Sequence, residues 1–182
     1  TAYWTLSQSG RDRHALERAI VAYTEALKYR TADRFPAGCA ATQNNLGTAY
    51  WYLAQQSNDA DAVAYWQQAI VAYKAAIAAA GSQTPLTFDL YATHNNLGLT
   101  HYSLGVSSNG DRPARLQHLN AALDAHLRAF QGWQSQPSRQ DGAREAIVRS
   151  LRAIYDFGSM DAQTAAFSRV PGDLLSELMG DL

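Results

Sequence analysis

An all-α fold assembled from repeated antiparallel helix hairpins is the class this sequence predicts, and three observations predict it. Ala, Leu, Gln and Arg are plentiful, and all four are good helix formers. Alternating β-branched runs of the kind that build strands are missing. Above all, segments recur about 50 residues apart, and self-similarity at a fixed period is the mark of stacked supersecondary units.

The elements follow from the repeat. Ala41-Thr42-Gln43-Asn44-Asn45-Leu46-Gly47-Thr48-Ala49-Tyr50 returns 51 residues later as Ala92-Thr93-His94-Asn95-Asn96-Leu97-Gly98-Leu99-Thr100-His101. A copy shortened by the start of the chain is Ala2-Tyr3-Trp4, matching Ala49-Tyr50-Trp51. Ala19-Ile20-Val21-Ala22-Tyr23 returns unchanged as Ala69-Ile70-Val71-Ala72-Tyr73 and more loosely as Ala122-Leu123-Asp124-Ala125-His126. A fourth first-helix copy runs from Ala146 to Tyr155, with Leu151 and Tyr155 at the places of Leu46 and Tyr50. Leu46, Tyr50 and Leu53 fall on one helical stripe, as do Leu16, Ile20, Tyr23 and Leu27. Gly10, Ser57-Asn58-Asp59 and Asn109-Gly110-Asp111 punctuate the turn within each hairpin. Asp111 before Arg112-Pro113 reads as an N-cap with proline at the helix start. Pro36, Pro85 and Pro137 each lie before the next first helix, in the connector between units.

The expected organisation is one array over 1–182: a truncated first unit (1–35), a second (36–84), a third (85–136) and a degenerate fourth with cap helices (137–182). In the last of these, Asp161–Ser168 and Asp173–Met179 flank Pro171-Gly172. They read as a shortened second helix and a cap over the final apolar face, or as the start of a further unit. A single hairpin cannot bury its own apolar faces, so stacking is what makes such a repeat stable.

Bulk properties bound the function. A chain of 182 residues that is 47% hydrophobic can bury a sizeable core. With 15 basic against 16 acidic residues, its formal charge of -1 gives no reason to expect nucleic acid or a membrane surface as partner. No apolar run is long enough to span a bilayer. Cys39 is the single cysteine, so no internal disulfide forms, which fits a reducing, cytoplasmic setting. Thr1-Ala2-Tyr3-Trp4 does not read as a secretory leader. The chain does not begin with Met, and we expect it to be a piece of a longer protein.

These residues resemble the tetratricopeptide repeat, whose pattern places a large apolar residue, Gly and Tyr on the first helix, then Ala and an aromatic on the second, then Pro. The second unit offers Leu46, Gly47, Tyr50, Ala62, Trp66, Ala69 and Pro85. The third offers Leu97, Gly98 and Ala122, with His101 in place of Tyr. The period departs from the usual length of about 34 residues, and most of the excess lies between Ala69 and Leu97. Long units with Asn-Asn-Leu-Gly look like those of large bacterial multidomain proteins and are similar to the kinesin light chain type. The resemblance implies a right-handed superhelical α-solenoid, no cofactor, and a concave groove that holds a protein or peptide.

It also implies where that groove lies. Gly47 and Tyr50 would face the partner helix, leaving Asn44, Asn45, Thr48, Trp51 and Tyr52 towards the groove. The corresponding residues of the third unit are Asn95, Asn96, Leu99 and Tyr102, and Arg149 in the fourth is a candidate for gripping a carboxylate, as is Arg144. An asparagine amide offers one acceptor and two donors, enough to pair with the backbone of an extended peptide. The alternatives are a helix-to-helix hydrogen bond, or one asparagine of each pair facing solvent. Trp51, Tyr52 and Tyr102 would floor the groove, whereas Tyr23, Tyr50, Trp66 and Tyr73 are expected between helices.

Chemistry-bearing motifs are scarce. His94 and His101 lie seven apart, not the four of a helical zinc motif, so no metal site is expected, and His101 reads as a core histidine. Cys39 is expected in a connector after Phe35-Pro36-Ala37-Gly38, without a base beside it. There is no P-loop, dinucleotide-binding turn or nucleophile elbow. The chain is therefore expected to be a non-catalytic interaction module or scaffold. The alternative is self-association into a homo-oligomer through exposed faces of the terminal repeats.

Overall fold

The computed structural model describes residues 12–81, 86–107 and 110–180, and every regular element among them is an α-helix. The Ala2-Tyr3-Trp4 copy and the expected turn or connector residues Gly10, Pro85 and Asn109 lie outside the described residues. The helices are α1 (Arg13–Leu27), α2 (Pro36–Gln55), α3 (Asp59–Ala80), α4 (Leu90–Val106), α5 (Arg112–Gly132), α6 (Pro137–Phe157), α7 (Met160–Phe167) and α8 (Gly172–Leu178). Short polar residues start most of them by accepting from free backbone N–H groups of the first turn. Asp12 accepts from His14 and Ala15, Asn58 from Asp61, Asp89 from Tyr91 and Ala92, Asp111 from Ala114, and Ser159 from Ala162. Pro36 and Pro137 are themselves first helical residues, where a missing N–H costs nothing. α3 stops at Gly81, whose φ of 55° is the left-handed conformation that glycine adopts without strain.

The contacts divide the chain into two compact units, meeting between Leu97 and Gly98. In the first, α2 and α3 lie antiparallel along their whole length. Cys39 and Ala40 pack with Ala79 and Ala80 at one end, Gly47 meets Tyr73 in the middle, and Tyr50 stacks on Tyr65 at 6.3 Å towards the other. A β-carbon on Gly47 would sit 2.7 Å from the Tyr73 ring, so only glycine admits that ring. Tyr73 is 1% exposed, and its hydroxyl donates to Thr48 Oγ1 at 3.2 Å. α1 runs antiparallel to α2: Leu16 packs on Ala49 and Leu53, and Leu27 packs near Cys39.

In the second unit the same device recurs. A β-carbon on Gly98 would come within 2.5 Å of the His126 imidazole. Gly105 likewise makes room for Leu119, at 2.6 Å. Leu119, Leu123 and Leu127 of α5 form a core with Ile147, Leu151 and Ile154 of α6, closed by Ala166, Val170, Leu174 and Leu178 from the C-terminal segment. Arg169 ties that segment back to α5 through Asp124, at 2.9 Å, and Asn120. Cys39 corrects an expectation. It occupies the first turn of α2 rather than a connector and is buried there, because the helix begins already at Pro36.

The glycine contacts give a direct stability test. Gly47→Ala and Gly98→Ala each force a methyl group into an aromatic ring, and overpacking of this kind costs about 1–3 kcal/mol. Gly142 of α6 has nothing within 4 Å of its would-be β-carbon, so Gly142→Ala is expected to stabilise by about 0.5–1 kcal/mol through helix propensity alone. Urea unfolding followed by circular dichroism separates the two signs.

Candidate functional site

Of the four asparagines, two are occupied within the first unit. Asn44 Oδ1 accepts from the Thr93 hydroxyl at 2.8 Å, joining α2 to α4. Asn96 bonds the Tyr73 hydroxyl, joining α4 to α3. Their partners Thr93 and Tyr73 are almost fully buried, so both amides serve the packing of the unit. Asn45 and Asn95 are half-buried. The Asn45 amide makes no hydrogen bond among the described residues. A mid-helix asparagine with an unused amide gains nothing for the helix that carries it.

The other expected groove residues are placed as follows. Thr48 is buried, accepting from Tyr73 and donating to the Asn44 carbonyl. Trp51 and Tyr52 are half-buried and meet edge to face, 5.1 Å between centroids. Tyr52 also rests on the Leu16–Ala49–Leu53 cluster. The indole N–H of Trp51 is buried with no acceptor among the described residues. Leu99, Tyr102 and Arg149 belong to the second unit. Leu99 is half-buried, and Tyr102 packs on the α5–α6 core. Arg149 is exposed and lines an open concavity of about 700 Å³ on α6 with Asp141, Arg144, Glu145, Val148 and Arg152. Arg144 donates to the Glu177 carbonyl at 3.2 Å. Two carboxylates among three guanidiniums make this a mixed-charge surface.

A histidine arrangement escaped the sequence reading. His101 Nδ1 and His118 Nδ1 are 2.9 Å apart, one imidazole donating and the other accepting. His94 and His101 share one helix, whereas this pair spans the α4–α5 hairpin. Antiparallel register was the available signal: Gly98 opposite His126 places residue 101 within a turn or so of residue 118 across the hairpin. No cluster of three or more metal-ligating side chains occurs among the described residues. Burial and the charge of Asp33 both push the Cys39 thiol up, opposite to what a thiolate nucleophile needs. No helix of the described residues is long and apolar enough to cross a membrane. Comparisons with protein-family models, characterised proteins and solved structures give no match to this chain.

His126 has the most perturbed imidazole. Burial against Gly98, with the Arg149 charge adding to it, pushes its pKa down to about 3 from 6.5. The folded chain therefore keeps it neutral, while the unfolded chain binds a proton once the pH drops below 6.5. Its contribution is complete above that pH and is lost as the pH falls towards 3, at up to about 1.4 kcal/mol per unit. Urea titrations at stepped pH should show stability falling from pH 6.5 downwards, and less steeply in His126→Phe, whose ring cannot take a proton.

Proposed function

We propose that this chain is a protein-interaction module, a tetratricopeptide-like array that holds an extended segment of another protein against the first helices of its hairpins. The observation that carries the reading is the unused hydrogen-bonding capacity on α2. Among the described residues, Asn45 offers a half-buried amide with no bond, and Trp51 a buried indole N–H with no acceptor. Leaving a buried donor unpaired costs about 1–3 kcal/mol, and the carbonyls of a bound peptide would remove that cost. The residue of α4 that aligns with Asn45 is Asn96, which is bonded to Tyr73, so the reading rests on α2. The superhelical course of the array, the bacterial multidomain parent and the cytoplasmic location belong to the same proposal. They rest on the repeat pattern and on Cys39 being a buried free thiol. Neither a cofactor nor a reaction is part of this reading.

Asn44 and Asn96 are unsuitable probes, since each holds two helices together. The informative substitution is Asn45→Ala. A partner is captured from lysate with this chain, and its contacting segment is mapped by cross-linking and synthesised. Losing one or two amide bonds to that segment should weaken binding about tenfold, with the melting curve unchanged. Equal affinity would remove Asn45 from the site.

One observation favours self-association as a second reading. Tyr155, Met160 and Met179 are 64%, 80% and 60% exposed. Tyr155 and Met179 line a concavity of about 510 Å³ with Leu151 and Phe167. Exposed apolar patches of this kind mark interaction sites. Light scattering over a wide concentration range decides it: a dimer that Met179→Glu dissolves supports the reading, and a monomer throughout removes it.

A further inference from the structure

The connector between α1 and α2 carries an unusual surface. Tyr29 and Phe35 are 76% and 60% exposed, although aromatic rings of that size normally seek cover. They line, with Arg30 and Arg34, a concavity of about 640 Å³, within the size range of binding pockets. Its floor is the outer face of the first turns of α2, where Ala37, Gly38 and Ala41 present almost no side chain. A β-carbon on Gly38 would meet Arg30 Cδ at 3.7 Å and Phe35 Cβ at 3.8 Å. Any larger side chain there would therefore rise between the arginine and the aromatic.

Charge identifies the occupant. Both guanidiniums are at the surface, and neither is in an ion pair among the described residues. Arg30 is held in place by a hydrogen bond to Thr42 Oγ1 at 3.2 Å, so it is already ordered before anything binds. No carboxylate lines this concavity, in contrast to the arginine-bearing surface of α6, which contains Asp141 and Glu145. Asp33, in the same connector, is outside the lining and forms an ion pair with neither arginine, so two guanidiniums free of ion pairs beside an apolar trough fit carboxylates flanking an apolar side chain.

We infer that the α1–α2 corner is a second docking surface, one that takes an acidic peptide carrying an aromatic or branched apolar side chain between its carboxylates. The side chain lies over Gly38 between Tyr29 and Phe35, and the carboxylates pair with Arg30 and Arg34. This assignment does not depend on Asn45 or on the groove.

Fluorescence polarisation with a labelled hexapeptide, Asp-Glu-Leu-Phe-Asp-Glu, tests it on the whole chain. Binding that weakens with added salt is expected. The same peptide with Asn and Gln for its acids should bind at least about tenfold more weakly. Arg34→Glu, at an exposed site with no partner to lose, should weaken binding by about tenfold or more. Gly38→Leu should abolish it while the helical circular dichroism is retained, and Asn45→Ala should leave it unchanged. The proposal is overturned if the peptide does not bind, if the amide peptide binds equally well, or if Arg34→Glu and Gly38→Leu bind like the parent. It also falls if dodecanoate binds there and the peptide does not, since the occupant would then be an anionic lipid. Weakening by Asn45→Ala would overturn the assignment of a separate surface.

Discussion

The contact on which each hairpin depends is a ring laid against a glycine. Tyr73 lies on Gly47 and His126 on Gly98. In each case a missing β-carbon lets a side chain from the second helix press against the first helix's backbone. This approach brings the helices close enough for their small residues to fill the interface. Ala69, Ala72, Ala76 and Ala80 of α3 are all essentially buried. Alanine fills an interface only when the backbones are near, and dispersion forces reward that only at contact distance. The glycine therefore sets the spacing on which the alanines depend. Its replacement would disturb the whole hairpin and not one side chain.

The ring also dictates where polar groups go. Tyr73 brings a hydroxyl into the interior, and a buried hydroxyl must find partners. Thr48 and Asn96 supply them, and Asn44 is drawn inwards by Thr93. The histidine version solves the same problem differently, keeping its imidazole neutral. The two hairpins thus share a packing rule and differ in their response to acid. Of the adjacent asparagines, Asn44 on α2 and Asn96 on α4 make the bonds to Thr93 and Tyr73. The neighbour, about 100° round the helix, is turned away from that bond.

Much of the fold could be read from residues alone, because its signals are local. Recurring apolar stripes gave the helices, and Asp111 gave a cap. The identical Ala-Ile-Val-Ala-Tyr segments marked the second-helix position that carries the ring. The site was less legible, because which asparagine turns inwards depends on Thr93, 49 residues beyond Asn44. Thr48 was expected at the surface, yet it is bound to Tyr73 from the adjacent helix. The His101–His118 pair and the arginine–aromatic corner were missed for the same reason: both join residues from more than one element. Cys39 was misplaced because a proline before it was read as ending a connector rather than opening a helix.

The long period now has a structural cause in the first unit. α2 has 20 residues and α3 has 22, each spanning about 30 Å at 1.5 Å per residue. The extra length beyond Ala69 is not idle: Ala79 and Ala80 reach Cys39 and Ala40, covering the first turns of α2 from within. A shorter second helix would leave that end bare, and it is the end whose outer face bears Ala37, Gly38 and Ala41. Because α3 supports this stretch from inside, its outer face can stay stripped of side chains without loosening the helix. The lengthened hairpin thus backs the recessed surface beside Arg30 and Arg34 with a buried helix–helix contact.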